Sequence, residues 1–186
     1  MIKYDTRRCD RELNEELDHS KIFGAPTFPE DYLNRNGLNS AYFFCQINLT
    51  EIAHLNEVLP KTGMLYFFLT FKGPGIKPAV MYCNDELVEV MDDVNEIFEE
   101  LDFKDALYME FGKGNGSNYI LGSFDQEVPE SDRDDYVVLL KVDPLNILAS
   151  DFPIFANPDD ELYFVMPFED LLKLDFKNVK LITHGS

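Results

Sequence analysis

Gln46 and Lys141 are the residues whose type and placement come nearest to chemistry. Gln46 sits in an apolar run at residues 42–49 (YFFCQINL) and Lys141 in a second at 137–143 (VVLLKVD), and each is followed two positions on by a side-chain oxygen, Asn48 or Asp143. An amide and an ammonium brought together can hold a polar ligand or orient a substrate. The pair is therefore a candidate cleft for an enzyme or small-ligand binder, provided that the two stretches pack about a pseudo-twofold. Asn48 and Asp143 have a simpler use, since their oxygens can accept hydrogen bonds from the spare amides that open a helical turn. Glu51, three residues after Asn48, completes a capping-box pattern, and Pro144 takes the first helical position after Asp143, where its missing N–H costs little.

Other chemistries find less support. The run at 111–117 (FGKGNGS) is rich in glycine, but its spacing is not that of a phosphate loop and no apolar helix follows, so a hairpin turn is the expected structure. His19, His54 and His184 are scattered, and none stands at ligand spacing from another His, Cys or carboxylate. No nucleophile elbow occurs. The three cysteines, Cys9, Cys45 and Cys83, are too few and too far apart for a disulfide framework or a zinc knuckle. No catalytic residue, metal site or cofactor is assigned, which leans the chain away from an enzyme. Carboxylates are plentiful, and residues 85–102 hold acids with no Lys or Arg among them. Asp92, Asp93, Glu96, Glu99 and Glu100 fall on the polar side of a helix expected there. Like charges at helical spacing cost a few tenths of a kcal/mol each, which a basic partner would relieve, so this face is the candidate partner-binding surface, with a plain solvated face as its alternative.

The elements that position these residues are read from periodicity. Alternation places Phe43, Cys45, Ile47 and Leu49 on one strand face and Tyr42, Phe44, Gln46 and Asn48 on the other; Val138, Leu140 and Val142 oppose Lys141 and Asp143 in the same manner. Each run then crosses a turn and a loop and enters a strand beginning Leu-Tyr-Phe, at Leu65 or Leu162. The unit of strand, helical turn, loop and strand thus occurs twice, about 95 residues apart, a spacing too long for a solenoid and suited to a duplicated half-domain. Further strands are expected at 79–83, 106–111, 118–121 and 179–183, and a short helix begun by Pro167 at 168–174. Helical spacing favours a helix over the later part of 84–102, with an early strand at 87–90 as the alternative. A short surface helix is expected at 6–18. Between them, Gly24, Pro26 and Pro29 predict an ordered loop at 22–32, pinned by Phe23, Phe28 and Tyr32. The expected class is α+β, mainly antiparallel sheet with a few short helices: a polar segment at 1–19, then one domain at 20–186 built of two related halves, about 20–105 and 106–186.

Composition sets the outer limits. A chain of 186 residues can bury roughly 70% of its unfolded surface. With 45% apolar residues, 16 Phe, 9 Tyr and no Trp, it has the material for a core. Its formal charge of −19 repels phosphate backbones and anionic lipid and attracts cations, so a basic protein is the expected partner, with solubility alone as the alternative use of the charge and with neither nucleic acid nor membrane. The opening residues (MIKYDTRRCDRELNEELD) lack the apolar stretch of a signal peptide, and no run of about 18 apolar residues occurs, which predicts a soluble cytoplasmic protein.

Several of these stretches, in order, carry a resemblance. Phe23-Gly24-Ala25-Pro26, then FCQINL at 44–49, LPKTGMLYFF at 59–68, Leu121-Gly122 with Gln126, residues 138–143, and Leu162-Tyr163-Phe164 together resemble the YwqG-like family, a bacterial domain family of unknown function. The likeness runs from about Ser20 onward. Relatives commonly carry a second glycine where Ala25 stands and a Trp-Pro after it, and this chain has no Trp. The resemblance implies a fold but no catalytic residues. Some relatives look associated with toxin and immunity loci, which agrees with an acidic protein that binds a basic one.

Overall fold

Aromatic and β-branched residues, which suit a pleated and buried surface, fill most of the apolar runs, and strands dominate accordingly. The computed structural model describes residues 1–8, 18–24, 26–29, 31–38, 40–71, 75–85, 89–90, 106–112, 117–123, 135–145 and 160–184. Among these, the strands are β1 (Ile2–Arg8), β2 (Lys21–Ile22), β3 (Thr27–Phe28), β4 (Tyr42–Asn48), β5 (Met64–Thr70), β6 (Lys77–Cys83), β7 (Glu89–Val90), β8 (Leu107–Phe111), β9 (Tyr119–Gly122), β10 (Tyr136–Val142), β11 (Glu161–Pro167) and β12 (Lys180–His184). The α-helices among the described residues are α1 (Tyr32–Asn36) and α2 (Phe168–Leu172), and a 3₁₀ turn at Phe176–Asn178 follows α2. Five residues make little more than one turn, far below the length at which a helix is stable by itself. The expected α+β class narrows to a mainly antiparallel β structure with two short helices.

The described residues form two compact units. One, the Gln46 unit, comprises Arg7–Ala53 and Pro60–Met109; the other, the Lys141 unit, comprises Met1–Thr6, His54–Leu59 and Glu110–Ser186. In the Gln46 unit the ladder runs β8-β2-β4-β5-β6, and β3 pairs separately with β7. One row of side-by-side residues crosses it as Tyr108, Lys21, Gln46, Tyr66 and Met81. In the Lys141 unit the ladder runs β1-β9-β10-β11-β12, and the corresponding row is Lys3, Tyr119, Lys141, Tyr163 and Ile182. Every pairing in both ladders is antiparallel.

A bulge corrects the expected strand faces. Phe43 pairs with Phe68 and Cys45 with Phe67, so Phe44 is an extra residue with no partner opposite. An extra residue in one strand moves everything beyond it to the other face. Phe43 consequently joins the side of Gln46, packed with Tyr66 and Phe68, rather than that of Cys45. Between the pairs Val138–Val165 and Leu140–Phe164, Leu139 has the same place, and Val138 packs beside Tyr119, Tyr163 and Val165 on the side of Lys141. Phe44 is not wasted: its carbonyl accepts from Phe23 N–H at 2.9 Å, and the two rings meet edge to face at 5.7 Å.

Core packing in the Gln46 unit centres on Phe28. Its fully buried ring lies 4.9 Å from Tyr66, 5.4 Å from Tyr32 and 5.7 Å from Phe68, so the loop at 22–32 is pinned by the aromatics expected to do so. The chain leaves β2 through Phe23 (φ 60) and Gly24 (φ 71). A Cβ at Gly24 would stand 2.7 Å from the Cβ of Ala106, which is the physical reason for glycine there.

Two further expectations change. The N-terminal helix does not begin at Thr6, because β1 runs to Arg8; Ile2 and Tyr4 alternate inward while Lys3 points out, a strand period that the polar composition masks. Residues 9–17, the remainder of that helix, lie outside the described residues, as does most of the helix expected in 84–102. Its early part contains β7 at Glu89–Val90, the alternative strand. No helix among the described residues is long and apolar enough to cross a membrane.

Candidate functional site

Gln46 is fully buried in the middle of β4 and its amide is committed on both sides. Oε1 accepts from Thr27 N–H at 3.1 Å, and Nε2 donates to the His19 carbonyl at 2.9 Å. Across the strand, Tyr66 donates its hydroxyl to the Thr27 carbonyl at 2.6 Å. The short strand β3 is thus held through side chains where it has few backbone partners, which is what a buried amide is needed for.

Polar contacts continue from Gln46 toward the end of β4. The Asn48 side chain accepts from Thr50 N–H at 3.0 Å, as its capping role predicts, and donates to the Asp18 carbonyl at 3.0 Å. The Asn48 N–H itself donates to Ser20 Oγ at 2.8 Å. Glu51 therefore does not return onto Asn48 as the capping box predicted. It binds His19 Nδ1 at 2.7 Å and accepts from Ser20 N–H at 3.2 Å, since Ser20 already serves the Asn48 amide and the strand entry at 19–20 supplies better donors. His19 also meets the Tyr108 ring edge to face at 5.7 Å.

Burial in this unit sets proton affinities against catalysis. Desolvation pushes the phenols of Tyr32, Tyr42 and Tyr66 far up, and nearby Cys83 adds to the effect at Tyr32 and Tyr66. The Cys45 thiol rises well above its ordinary value for want of solvent, and that of Cys83 rises for the same first reason. A thiol so shifted stays protonated at neutral pH and is a poor nucleophile.

Lys141 has a different environment in its own unit. Its ammonium lies 2.9 Å from Glu161 Oε1 and over two rings, 5.3 Å from the centroid of Tyr163 and 5.6 Å from that of Tyr119. The Tyr163 hydroxyl binds the other oxygen of Glu161, and Tyr4 donates to the Lys141 carbonyl at 2.8 Å. The result is a buried cation boxed by two aromatic faces and a carboxylate. Asp143 accepts from Leu145 N–H at 3.0 Å, the same turn that Asn48 makes, and its second oxygen accepts from Ser117 Oγ at 2.6 Å. Its N–H donates to Asn118 Oδ1 at 2.7 Å, where Ser20 serves Asn48.

Both candidate cleft residues are thus buried, and each has polar partners inside its own unit. The acids of the candidate partner surface, Asp92, Asp93, Glu96, Glu99 and Glu100, lie outside the described residues. Among the described residues no group of three His, Cys, Asp or Glu side chains comes together to hold a metal ion. Residues that sequence reasoning passed over are Thr27, Tyr66, Ser20 and Glu161. Glu161 stands just before Leu162-Tyr163-Phe164, where Met64 stands before Leu65-Tyr66-Phe67, so lining up the two stretches hides it.

No curated protein matches the chain. A family model described as a domain of unknown function, DUF1963, matches residues 20–91, the stretch that holds β2 to β7 and Gln46.

Proposed function

We propose that this chain is an acidic, non-enzymatic binding protein of the YwqG-like type that holds a basic protein partner, as an immunity protein holds a toxin. One observation carries it: 35 Asp and Glu stand against 16 Lys and Arg, a formal charge of −19 on 186 residues. Such a field accelerates encounter with cations and opposes phosphate backbones and anionic lipid. The internal bonding of Gln46, Tyr66 and the Asn48 turn supports a structural use of the polar residues that most resemble a site. Capture of purified cationic and anionic proteins on the immobilised chain, across a salt series, tests it. Cationic proteins should be retained at low salt and released as ions screen the charges. Retention of acidic proteins, or indifference to salt, defeats it.

We further propose that the two units descend from one duplicated strand module. Support comes from their ladders: four strands in the same order, β2-β4-β5-β6 and β9-β10-β11-β12, a bulge at matching places, and the same side-chain turn at Asn48 and Asp143.

An enzyme or small-ligand binder that uses Gln46 and Lys141 is the second reading, favoured by the burial of both polar side chains at matching row positions. A ligand screen by thermal shift decides it. Hits lost in both Gln46→Met and Lys141→Met would support it, and hits indifferent to both would remove it.

A further inference from the structure

Helix α2 presents an apolar pair to solvent. Phe168 is 44% and Leu172 59% exposed, four residues apart and so neighbours along one side of the helix, while Leu171 between them is fully buried and fixes the orientation. The helix is tied at its start, where Phe168 N–H donates to the Asp135 carbonyl at 2.8 Å, and its last turn is closed by Leu174 N–H on the Leu171 carbonyl at 3.0 Å. Its rim is polar: the Glu169 carboxylate is 87% exposed, Asp170 accepts from Asn178 Nδ2 at 2.8 Å, and Lys173 and Lys177 lean on Glu169 at 3.7 Å and Asp175 at 3.6 Å. An apolar centre ringed by charge is the anatomy of an interface anchor.

We propose that Phe168 and Leu172 are the apolar anchor for a cationic amphipathic helix of a protein partner. The anchor rests on the acidic-binding assignment above and names the kind of segment bound. Charge selects the occupant. A second copy would bring −19 against −19, and an anionic bilayer would be repelled in the same way. A helix with Lys or Arg around an apolar stripe meets both features at once, its stripe on the pair and its cations in the field. Long-range attraction sets the encounter, and burial of the Phe and Leu side chains sets the residence time.

The test uses two synthetic peptides of identical Leu and Lys composition, about four turns long. One places Leu at helical spacing to form a stripe, and the other scatters it. Fluorescence anisotropy is read with the full chain at low and high salt. The striped peptide should bind about tenfold tighter than the scattered one. Phe168→Ser with Leu172→Ser should remove that preference and leave the salt-dependent part. Leu172→Ser alone, at the more exposed position, should remove most of it with an unchanged melting temperature. If both peptides bind equally well and release in salt, the acidic assignment stands and the anchor is overturned. If neither binds at low salt, both fall.

Discussion

Gln46 and Tyr66 face each other across β4 and β5 and together close on a single residue, Thr27, whose N–H goes to the Gln46 side chain at 3.1 Å and whose carbonyl takes the Tyr66 hydroxyl at 2.6 Å. Thr27 is buried, so its backbone groups must be satisfied within the protein, and these two bonds contribute to that. Phe28, the next residue, is the ring at the middle of the aromatic core. The two polar side chains therefore decide where Phe28 sits.

Removal of either clamp should destabilise the fold measurably. Tyr66→Phe leaves a buried carbonyl without its donor and should cost about 1–3 kcal/mol. Gln46→Met, close in volume, removes one hydrogen bond from the Thr27 N–H and one from the His19 carbonyl and should cost more. Because both act on Thr27, the double variant should lose less than the sum of the singles. Urea unfolding of the four proteins measures this, and additive losses would separate the two residues.

The Lys141–Glu161 pair should respond unequally to the loss of its two members. The Lys141 side chain is 5% exposed and that of Glu161 26%, so Glu161→Gln puts a neutral amide where the buried ammonium now meets a carboxylate. About 2–4 kcal/mol is the expected loss, the lower end reflecting the solvent that reaches Glu161. Lys141→Met keeps the stem against Tyr119 and Tyr163 and frees a carboxylate that water can reach, so it should cost less. Denaturation midpoints at neutral pH give the order directly, and a reversed order would count against the box.

Strands were legible because Tyr, Phe, Leu and Val crowd into runs at 42–45, 64–69, 137–140 and 162–166; the connections at 49–63 and 143–160 are long enough for either direction of pairing, so the antiparallel register is read from the fold. The face of Phe43 was not. Four consecutive apolar residues, Tyr42 to Cys45, are buried on both sides, and no polar residue marks the bulge at Phe44. Gln46 stood out as an amide in an apolar run, yet Thr27 and His19 are reached through the fold and share no periodicity with it. Glu51 had a local partner on paper and a better one in space. Strand β1 was hidden by its polar outer face, since only Ile2 and Tyr4 carry the pattern.

Gly63, within the run LPKTGMLYFF, should resist any side chain. It sits at φ +92, a Cβ there would stand 2.6 Å from the Cys83 carbonyl, and its own carbonyl accepts from Leu49 N–H at 2.9 Å. Gly63→Ala should cost about 2 kcal/mol or more, from backbone strain plus a contact that backbone atoms cannot relieve. Gly75 is the control, with φ +102 and open space around it. Gly75→Ala should cost about 1 kcal/mol, from conformation alone. Equal melting temperatures for the two variants would show that the approach to Cys83 does not matter.

Alkaline pH should unfold the Gln46 unit through its tyrosines. Burial raises the phenols of Tyr32, Tyr42 and Tyr66 well above the ordinary 10.0, so above that value the unfolded chain gives up protons that the folded chain keeps. Fewer protons bound in the unfolded state means that stability falls as pH rises. The contribution is whole below pH 10.0 and erodes above it, by at most about 1.4 kcal/mol per pH unit for each phenol. Tyr32 and Tyr66, with ring centroids 5.3 Å apart, should resist ionisation together, because the first phenolate would repel the second. Phenolate absorbance from these buried rings should therefore rise only as the circular dichroism signal collapses. Tyr42→Phe, which removes one raised phenol, should flatten the loss of stability above pH 10.0 while leaving the curve below it parallel to that of the parent. Ionisation of all nine tyrosines in one step, with structure intact, would contradict the burial on which the shifts depend.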